Sequence, residues 1–151
     1  KQESTSTWHG MYLSNGHPTE AVDVMQYCWS GLWPKPRSPS IMKITLNGDN
    51  WKKNHVFIKN EEATLDFIYE RNNNDSLYFD FELYPETFSK KGGGDFQKSP
   101  DKLKFEIIKQ SENSLSFKVP NKKGFYRIFV FVRNEINQTS VANIPFKVEQ
   151  L

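Results

Sequence analysis

Beyond about residue 40, the chain is a succession of short segments in which apolar and polar residues alternate. Successive side chains of a strand point to opposite faces of a sheet, so this alternation predicts half-buried strands. Turn residues such as Asn47-Gly48 separate the segments at a spacing of roughly 8–12 residues, which is typical of a sandwich. The segments are IMKITLNG, HVFIKN, ATLDFIYE, SLYFDFELY, LKFEIIK, SLSFKV, GFYRIFVFVRN and TSVANIPFKVE. They predict an all-β antiparallel β-sandwich of seven or eight strands.

Residues 124–134 carry apolar side chains in both phases of one strand. The core phase is Tyr126, Ile128, Val130 and Val132, and the other phase is Phe125, Arg127, Phe129, Phe131 and Arg133. An apolar strip on an outer face normally marks an interface. We expect the three phenylalanines to meet protein, either a helix over residues 19–30 or another domain, with a glycan as the alternative. The two arginines would then rim the strip with solvated heads.

The first third of the chain has a different character. Pro18, Thr19 and Glu20 predict a helix start and Gly31 predicts its end. The helix carries an apolar stripe at three- and four-residue spacing: Ala21, Val22, Met25, Cys28 and Trp29. Cys28 is the single cysteine, and its apolar surroundings predict a buried, inert thiol.

A proline-rich segment, WPKPRSPS, follows this helix and predicts an extended linker. The predicted organisation is a helical tail of an upstream domain over residues 1–33, a linker over 34–40 and a sandwich over 41–151. We expect Trp29 and Trp33, which flank the linker, to attach the helix and linker to the sandwich.

Charge and composition exclude several classes of function. The net charge is +2 and the lysines are scattered, which argues against a nucleic-acid interface. No segment has the length and hydrophobicity of a membrane span, and no signal peptide is visible. Because the chain begins with Lys1 rather than Met, we expect any targeting signal to lie upstream.

Candidate catalytic and metal-binding residues are sparse. Asp80 and Glu82 share one strand phase, with Asp66 as a third carboxylate, but such spacing is common on exposed sheets. His9, His17 and His55 lack metal-ligand spacing. The turn NNNDS offers oxygen ligands for Ca²⁺, although an Asn/Asp turn needs no metal. The segment KKGGGD lacks the context of a phosphate-binding loop. We therefore predict no catalytic residues, no metal site and no cofactor, with Ca²⁺ as the alternative.

Trp51 lies in the polar stretch NGDNWKKN, an unusually wet position for a tryptophan. The apolar C–H face of a sugar ring stacks on such a side chain, while polar neighbours bind its hydroxyl groups. Trp51, Asn50 and Asp49 are therefore the candidate carbohydrate-binding residues. The alternative is that Trp51 caps the open end of the sandwich.

Three sets of residues resemble known families. Gly124-Phe125-Tyr126, followed by the alternating Ile128, Val130 and Val132, resembles the penultimate strand of immunoglobulin-like and PKD-like domains, in which the tyrosine forms a corner contact. Residues 71–86 look like part of the C-terminal Ig-like module of bacterial glycoside hydrolases. The matching positions there are Asp75, Leu77, Phe79, Phe81, Pro85 and Glu86. Further upstream, Gly10, Gly16, Pro18 and Ala21 resemble the last turn and helix of a (β/α)₈ glycosidase barrel.

The resemblance implies a non-catalytic accessory module of a bacterial polysaccharide-degrading glycoside hydrolase. Such a module would be secreted, periplasmic or on the cell surface, and its partner would be the catalytic barrel upstream in the same polypeptide. The interface candidates are Phe125, Arg127, Phe129, Phe131, Trp29 and Trp33. An autonomous carbohydrate-binding module is the first alternative, and an Ig-like adhesion or surface-assembly domain with a protein partner is the second.

Overall fold

The computed structural model describes residues 10–86 and 100–150. One helix precedes two four-stranded sheets that pack face to face. The elements are α1 (Glu20–Ser30), β1 (Ser40–Leu46), β2 (Val56–Ile58), β3 (Glu62–Glu70), β4 (Tyr78–Pro85), β5 (Ile107–Gln110), β6 (Ser114–Lys118), β7 (Gly124–Arg133) and β8 (Thr139–Glu149). Each of the eight predicted segments contains a strand, so the all-β sandwich is confirmed.

The sheets have the orders β1-β3-β6-β5 and β2-β8-β7-β4. Every adjacent pair is antiparallel except β2 and β8, which run parallel with Val56 opposite Lys147. The predicted antiparallel sandwich therefore contains one parallel pair. The chain leaves β1 in the first sheet and crosses to the edge of the second before it forms β2. Such a crossover permits a parallel neighbour.

The core lies between the sheets and is built from the predicted phase of each strand. On β7, Tyr126 is 5% exposed and Ile128, Val130 and Val132 are fully buried. Aromatic rings join the two layers, since Phe117 of β6 lies 6.2 Å from Phe146 of β8 between ring centroids. Large aromatic side chains thus supply much of the buried area.

Tyr126 makes the corner contact that the resemblance implied. Its hydroxyl donates to the carbonyl of Lys122 at 2.7 Å, across the turn that leads into β7. A Cβ at position 124 would lie 3.3 Å from the same hydroxyl, so Gly124 leaves room for it. Two sheets closed by a tyrosine corner define an Ig-like β-sandwich.

Helix α1 has the predicted bounds but not the predicted packing. Thr19 caps its start by accepting from the amide of Ala21, and Gly31 ends it with a φ of 70°. Asp23 is the buried residue of the helix, whereas Cys28 is exposed and Trp29 is 76% exposed. The buried thiol and the attachment through Trp29 were therefore wrong predictions, because the helix contacts the sandwich through polar groups near its start.

These polar contacts are made by two carboxylates. The Asp23 carboxylate accepts from the amide of Ser38 at 2.6 Å. The Glu20 carboxylate accepts from the hydroxyl of Ser40 and, at 3.2 Å, from that of Ser140. The helix is thereby joined to the beginnings of β1 and β8.

The linker is fixed by the turn between β3 and β4. Asn72 donates to the carbonyl of Ser38 at 2.7 Å, and Asn73 donates to that of Arg37 at 2.5 Å. These asparagines, which offered oxygen ligands for Ca²⁺, thus serve as hydrogen-bond donors to the linker. The division at residues 33–41 stays a prediction.

Trp33 belongs to the helix side of the linker. Its ring stacks on Tyr27 at 4.5 Å between centroids, and the Arg37 guanidinium lies 3.7 Å from its ring centre. It therefore attaches the linker to α1 rather than to the sandwich.

Two sequence features lie outside the described residues, namely His9 and the glycine-rich segment at 90–95. Within residues 10–86 and 100–150, no helix has the length and hydrophobicity needed to cross a membrane.

Candidate functional site

A cleft of about 550 Å³ lies on the outer face of the second sheet, between the β1–β2 loop, β7 and β8. Because β1 belongs to the first sheet and β2 to the edge of the second, the loop must cross between them. The crossing brings Trp51 beside Phe125, which is far away in the sequence. Two aromatic residues for which separate roles were predicted therefore line one cleft.

The β1–β2 loop is ordered by its own hydrogen bonds. Asn47 and Gly48 both have positive φ, 48° and 82°, as a type I′ turn requires. The Asn50 side chain then accepts from the amide of Lys52 at 2.9 Å, while the Asn50 carbonyl lies 3.0 Å from Nε2 of the buried His55. Trp51 stands between these contacts and is 63% exposed. That exposure contradicts the alternative in which it caps the sandwich core.

Asp49 and Asn50, the predicted polar partners of Trp51, do not line the cleft. Asp49 forms an ion pair with Lys53, and Asn50 is used within the turn. They were predicted because they are adjacent to Trp51 in the sequence. The polar residues that line the cleft include Arg127 and Lys147, which lie on β7 and β8.

Phe125 is the part of the phenylalanine strip that reaches the cleft. It is 46% exposed and pairs across the strands with Lys147, whose ammonium lies 5.7 Å from the ring centre. Pro145 also lines the cleft and pairs with Arg127, so β8 widens the apolar surface.

The other two phenylalanines of the strip, Phe129 and Phe131, do not line this cleft. Phe129 is only 2% exposed and packs edge-on against Tyr84, at 5.7 Å between centroids. Phe131 stacks on Phe129 at 6.2 Å. It also borders a second cleft with Leu13 and His17, which precede the helix. The hydrogen bonds of α1 itself lead to Ser38, Ser40 and Ser140, so the helix approaches the ends of β1 and β8.

Arg127 does not have the solvated head that the sequence predicted. Its Nε lies 2.5 Å from the Glu86 carboxylate, and its guanidinium also donates to Asn143. The two charged side chains are 15% and 16% exposed. Glu86 follows β4 directly, and the pairing of β4 with β7 brings it to Arg127. The result is a largely buried ion pair at the side of the cleft.

Lys147 has an acidic neighbour on its own strand. Its ammonium donates to the Glu149 carboxylate, and this hydrogen bond and charge lower the pKa of Glu149. Lys147 itself lines the cleft, whereas Glu149 does not.

The carboxylates considered for catalysis lie elsewhere. Glu82 and Asp80 border the second cleft, of about 500 Å³, where Glu82 accepts from Tyr84 at 2.8 Å and from Lys102 at 3.0 Å. Burial and the hydrogen bond to Glu82 raise the pKa of Tyr84 well above its usual range. Asp66 is on β3 in the other sheet, where it accepts from Ser114, so it is not near the other two.

Among the described residues, no group of three or more His, Cys, Asp or Glu side chains could hold a metal ion.

No protein-family model and no curated protein matches the sequence. Solved structures with a similar arrangement include a DUF4784 family protein from Bacteroides caccae, at 11% identity and a TM-score of 0.39, covering 73% of this chain and 24% of that one. A nucleoside hydrolase-related protein from Saccharophagus degradans, described as associated with carbohydrate metabolism, has 17% identity and a TM-score of 0.43, covering 76% and 26%. The copper resistance protein PcoC from Escherichia coli has 12% identity and a TM-score of 0.40, covering 74% and 99%.

The chain thus spans about a quarter of the length of the first two structures. At such identities a likeness concerns the fold alone, and TM-scores below 0.5 add no argument about function.

Proposed function

We propose that the chain is a non-catalytic accessory module of a secreted bacterial polysaccharide-degrading glycoside hydrolase, and that it holds glycan in the Trp51–Phe125 cleft. The observation that carries the proposal is Trp51, a tryptophan that is 63% exposed on a hydrogen-bonded turn and lines the same cleft as the exposed Phe125. Such a ring serves no core, because water covers most of it.

The composition of the cleft supports a sugar ligand. Trp51 and Phe125 offer flat apolar surface to the C–H faces of pyranose rings, and the ordered turn limits the entropy lost on binding. Asn54, Glu86 and Arg127 offer amide, carboxylate and guanidinium groups to the hydroxyl groups of a sugar. An apolar surface with a few placed polar groups is the usual make-up of a ligand site.

The exposed end of α1 supports a partner domain. Trp29, at the C-terminal end of the helix, is 76% exposed, and Leu32, just beyond it, is 70% exposed. Large apolar side chains grouped in this way are typical of an interface. The catalytic barrel upstream in the same polypeptide is the partner that we propose for this surface.

The glycan proposal is tested by measuring the affinity of the whole chain for a panel of neutral and acidic polysaccharides. We expect Trp51→Ala to weaken binding about tenfold or more, which corresponds to about 1.4 kcal/mol for the lost stacking surface. Trp29→Ala is the matched control, because it removes another exposed tryptophan, which lies outside the cleft. Equal losses in the two variants, or no binding to any polysaccharide, would contradict the proposal.

A further inference from the structure

The charged side chains that line the Trp51–Phe125 cleft are all matched within the protein. Each of its cations is paired with a carboxylate, in the pairs Lys53–Asp49, Arg127–Glu86 and Lys147–Glu149. These pairs contain three cations and three carboxylates, so the lining offers no surplus charge to an ionic ligand. Lys52 lies 5.7 Å from the ring centre of Trp51 but does not line the cleft.

The Glu86–Arg127 pair keeps hydrogen-bonding groups for a ligand. The backbone amide of Glu86 donates to the carbonyl of Phe125 at 2.7 Å, which holds the pair beside an exposed ring. Arg127 donates to Glu86 and to Asn143, and a guanidinium has further N–H donors. The Glu86 carboxylate accepts from Arg127 through one oxygen, Oε1. Its other oxygen and the remaining donors of Arg127 therefore have no hydrogen-bond partner among the described residues.

Two hydroxyl groups on neighbouring carbons of a sugar, a vicinal diol, match this arrangement. Each hydroxyl both donates and accepts, so one can donate to Glu86 while the other accepts from Arg127. Hydrogen bonds to charged groups are stronger than neutral ones, and the two side chains are only 16% and 15% exposed, which limits competition from water. A carboxylate on the ligand would instead compete with Glu86 for Arg127 and would be repelled by its like charge.

We propose that the ligand of this cleft is a neutral polysaccharide, and that Glu86 and Arg127 bind a vicinal diol of one sugar unit while rings pack on Trp51 and Phe125. The proposal rests on the glycan-binding function above and names its substrate class. Every internal unit of a β-1,4-linked glucan, galactan or xylan has such a diol. The internal units of the β-1,3-linked polymers of the same sugars have none, because the linkage occupies the middle carbon of the three.

The test compares neutral polymers that share a sugar and differ in linkage. The affinity of the native chain is measured for the β-1,4-linked and β-1,3-linked forms of glucan, galactan and xylan. We expect at least one β-1,4-linked polymer to bind about tenfold more tightly than its β-1,3-linked counterpart. Polygalacturonate and alginate form the acidic arm and should bind more weakly than this polymer. Its affinity should change less than about twofold between low and high salt, because the ligand has no charge to be screened.

Two variants assign the linkage preference to the ion pair. Arg127→Lys keeps a positive charge beside Glu86 but lacks the planar set of donors, so it should weaken binding of the β-1,4-linked polymer about tenfold and abolish the preference. Glu86→Gln removes the charged acceptor and should act in the same direction. Arg133→Lys is the matched control, because Arg133 lies on the same strand and pairs with Asp80 outside the cleft. Thermal melting of each variant confirms that the fold is intact.

Each outcome bears on a separate claim. Equal binding of the two linkages would overturn the diol, and tighter binding of the acidic polymers or a steep salt dependence would overturn the neutral ligand. Both results would leave the glycan-binding proposal standing. A linkage preference that survives in Arg127→Lys and in Glu86→Gln would overturn the role of the pair. Failure to bind any of the polymers would overturn the glycan-binding proposal itself, and the neutral ligand with it.

Discussion

Tyr126 serves the core and a turn at the same time. Its ring stacks on Phe146 at 5.7 Å between centroids, and its hydroxyl donates to the carbonyl of Lys122. Burial raises the pKa of this hydroxyl above its ordinary value of 10.0. The folded state therefore holds the phenolic proton more tightly than the unfolded chain does.

We expect Tyr126→Phe to lower the free energy of unfolding by about 0.5–1.5 kcal/mol at neutral pH, because it removes one hydrogen bond and keeps the ring. As the pH rises through about 10, the unfolded state of the unsubstituted protein loses the Tyr126 proton before the folded state does, which favours unfolding. The variant has no such proton, so the difference in free energy of unfolding between the two proteins should become smaller. Urea denaturation between about pH 8 and pH 11 measures this, with Tyr78→Phe as the control. A constant deficit across that range would contradict the assignment.

The exposure of Trp51 was predictable from the sequence, but its neighbours in the cleft were not. Trp51 is surrounded in the sequence by asparagines and lysines, which favour a solvent-exposed loop. Its neighbours in the cleft, Phe125 and Lys147, come from strands about 75 to 95 positions away. Only the pairing of β2 with β8 brings them together, whereas Asp49 and Asn50 were chosen for being adjacent in sequence.

At the scale of elements, α1 is attached by carboxylates rather than by an apolar stripe. Periodicity predicted the helix correctly, because its caps and its spacing are local features. It did not predict the contact, since only the first turns of the helix approach the sandwich. Asp23, 2% exposed, takes the place that an apolar residue was expected to fill.

Asp23→Ala should lower the free energy of unfolding by about 1–3 kcal/mol, because the amide of Ser38 would lose its acceptor while Ser38 stays buried. It should also speed proteolysis within residues 20–38. Gln26→Ala, at an exposed position of the same helix, is the matched control. Urea denaturation and limited proteolysis measure the two effects. Equal stability of the two variants would show that the carboxylate does not hold the helix.

Strands were more predictable than sheets. Alternation with a period of two is a local property, and it placed all eight strands, including the core phase of β7. The parallel pair of β2 and β8 depends on where the β1–β2 loop crosses, and no local pattern encodes that crossing. The candidate cleft lies at this crossing, so the feature that sequence patterns missed is also the one that creates the site.

At the scale of the whole molecule, residues 20–38 are bonded to the sandwich at several points. Glu20 reaches Ser40 and Ser140, and Asp23 holds Ser38. From the sandwich side, Gln138 donates to the carbonyl of Pro36 at 3.1 Å. From this number of polar contacts we expect the helix to stabilise the sandwich, whereas the sequence predicts that residues 1–33 belong to an upstream domain.

Deletion of residues 1–33 distinguishes these two views. If the helix stabilises the sandwich, the shortened chain should fold but lose about 2–4 kcal/mol of unfolding free energy, since three carboxylate hydrogen bonds disappear. Urea denaturation of both chains measures the loss. Asp23→Ala in the full chain shows how much of this loss comes from the Asp23 contact alone. An unchanged midpoint would mean that these contacts add nothing to the stability of the sandwich, as expected if residues 1–33 belong to the upstream barrel. The loss that we expect would instead tie the exposed Trp29 and Leu32 firmly to the sandwich, so that this surface could hold a catalytic domain in a fixed orientation.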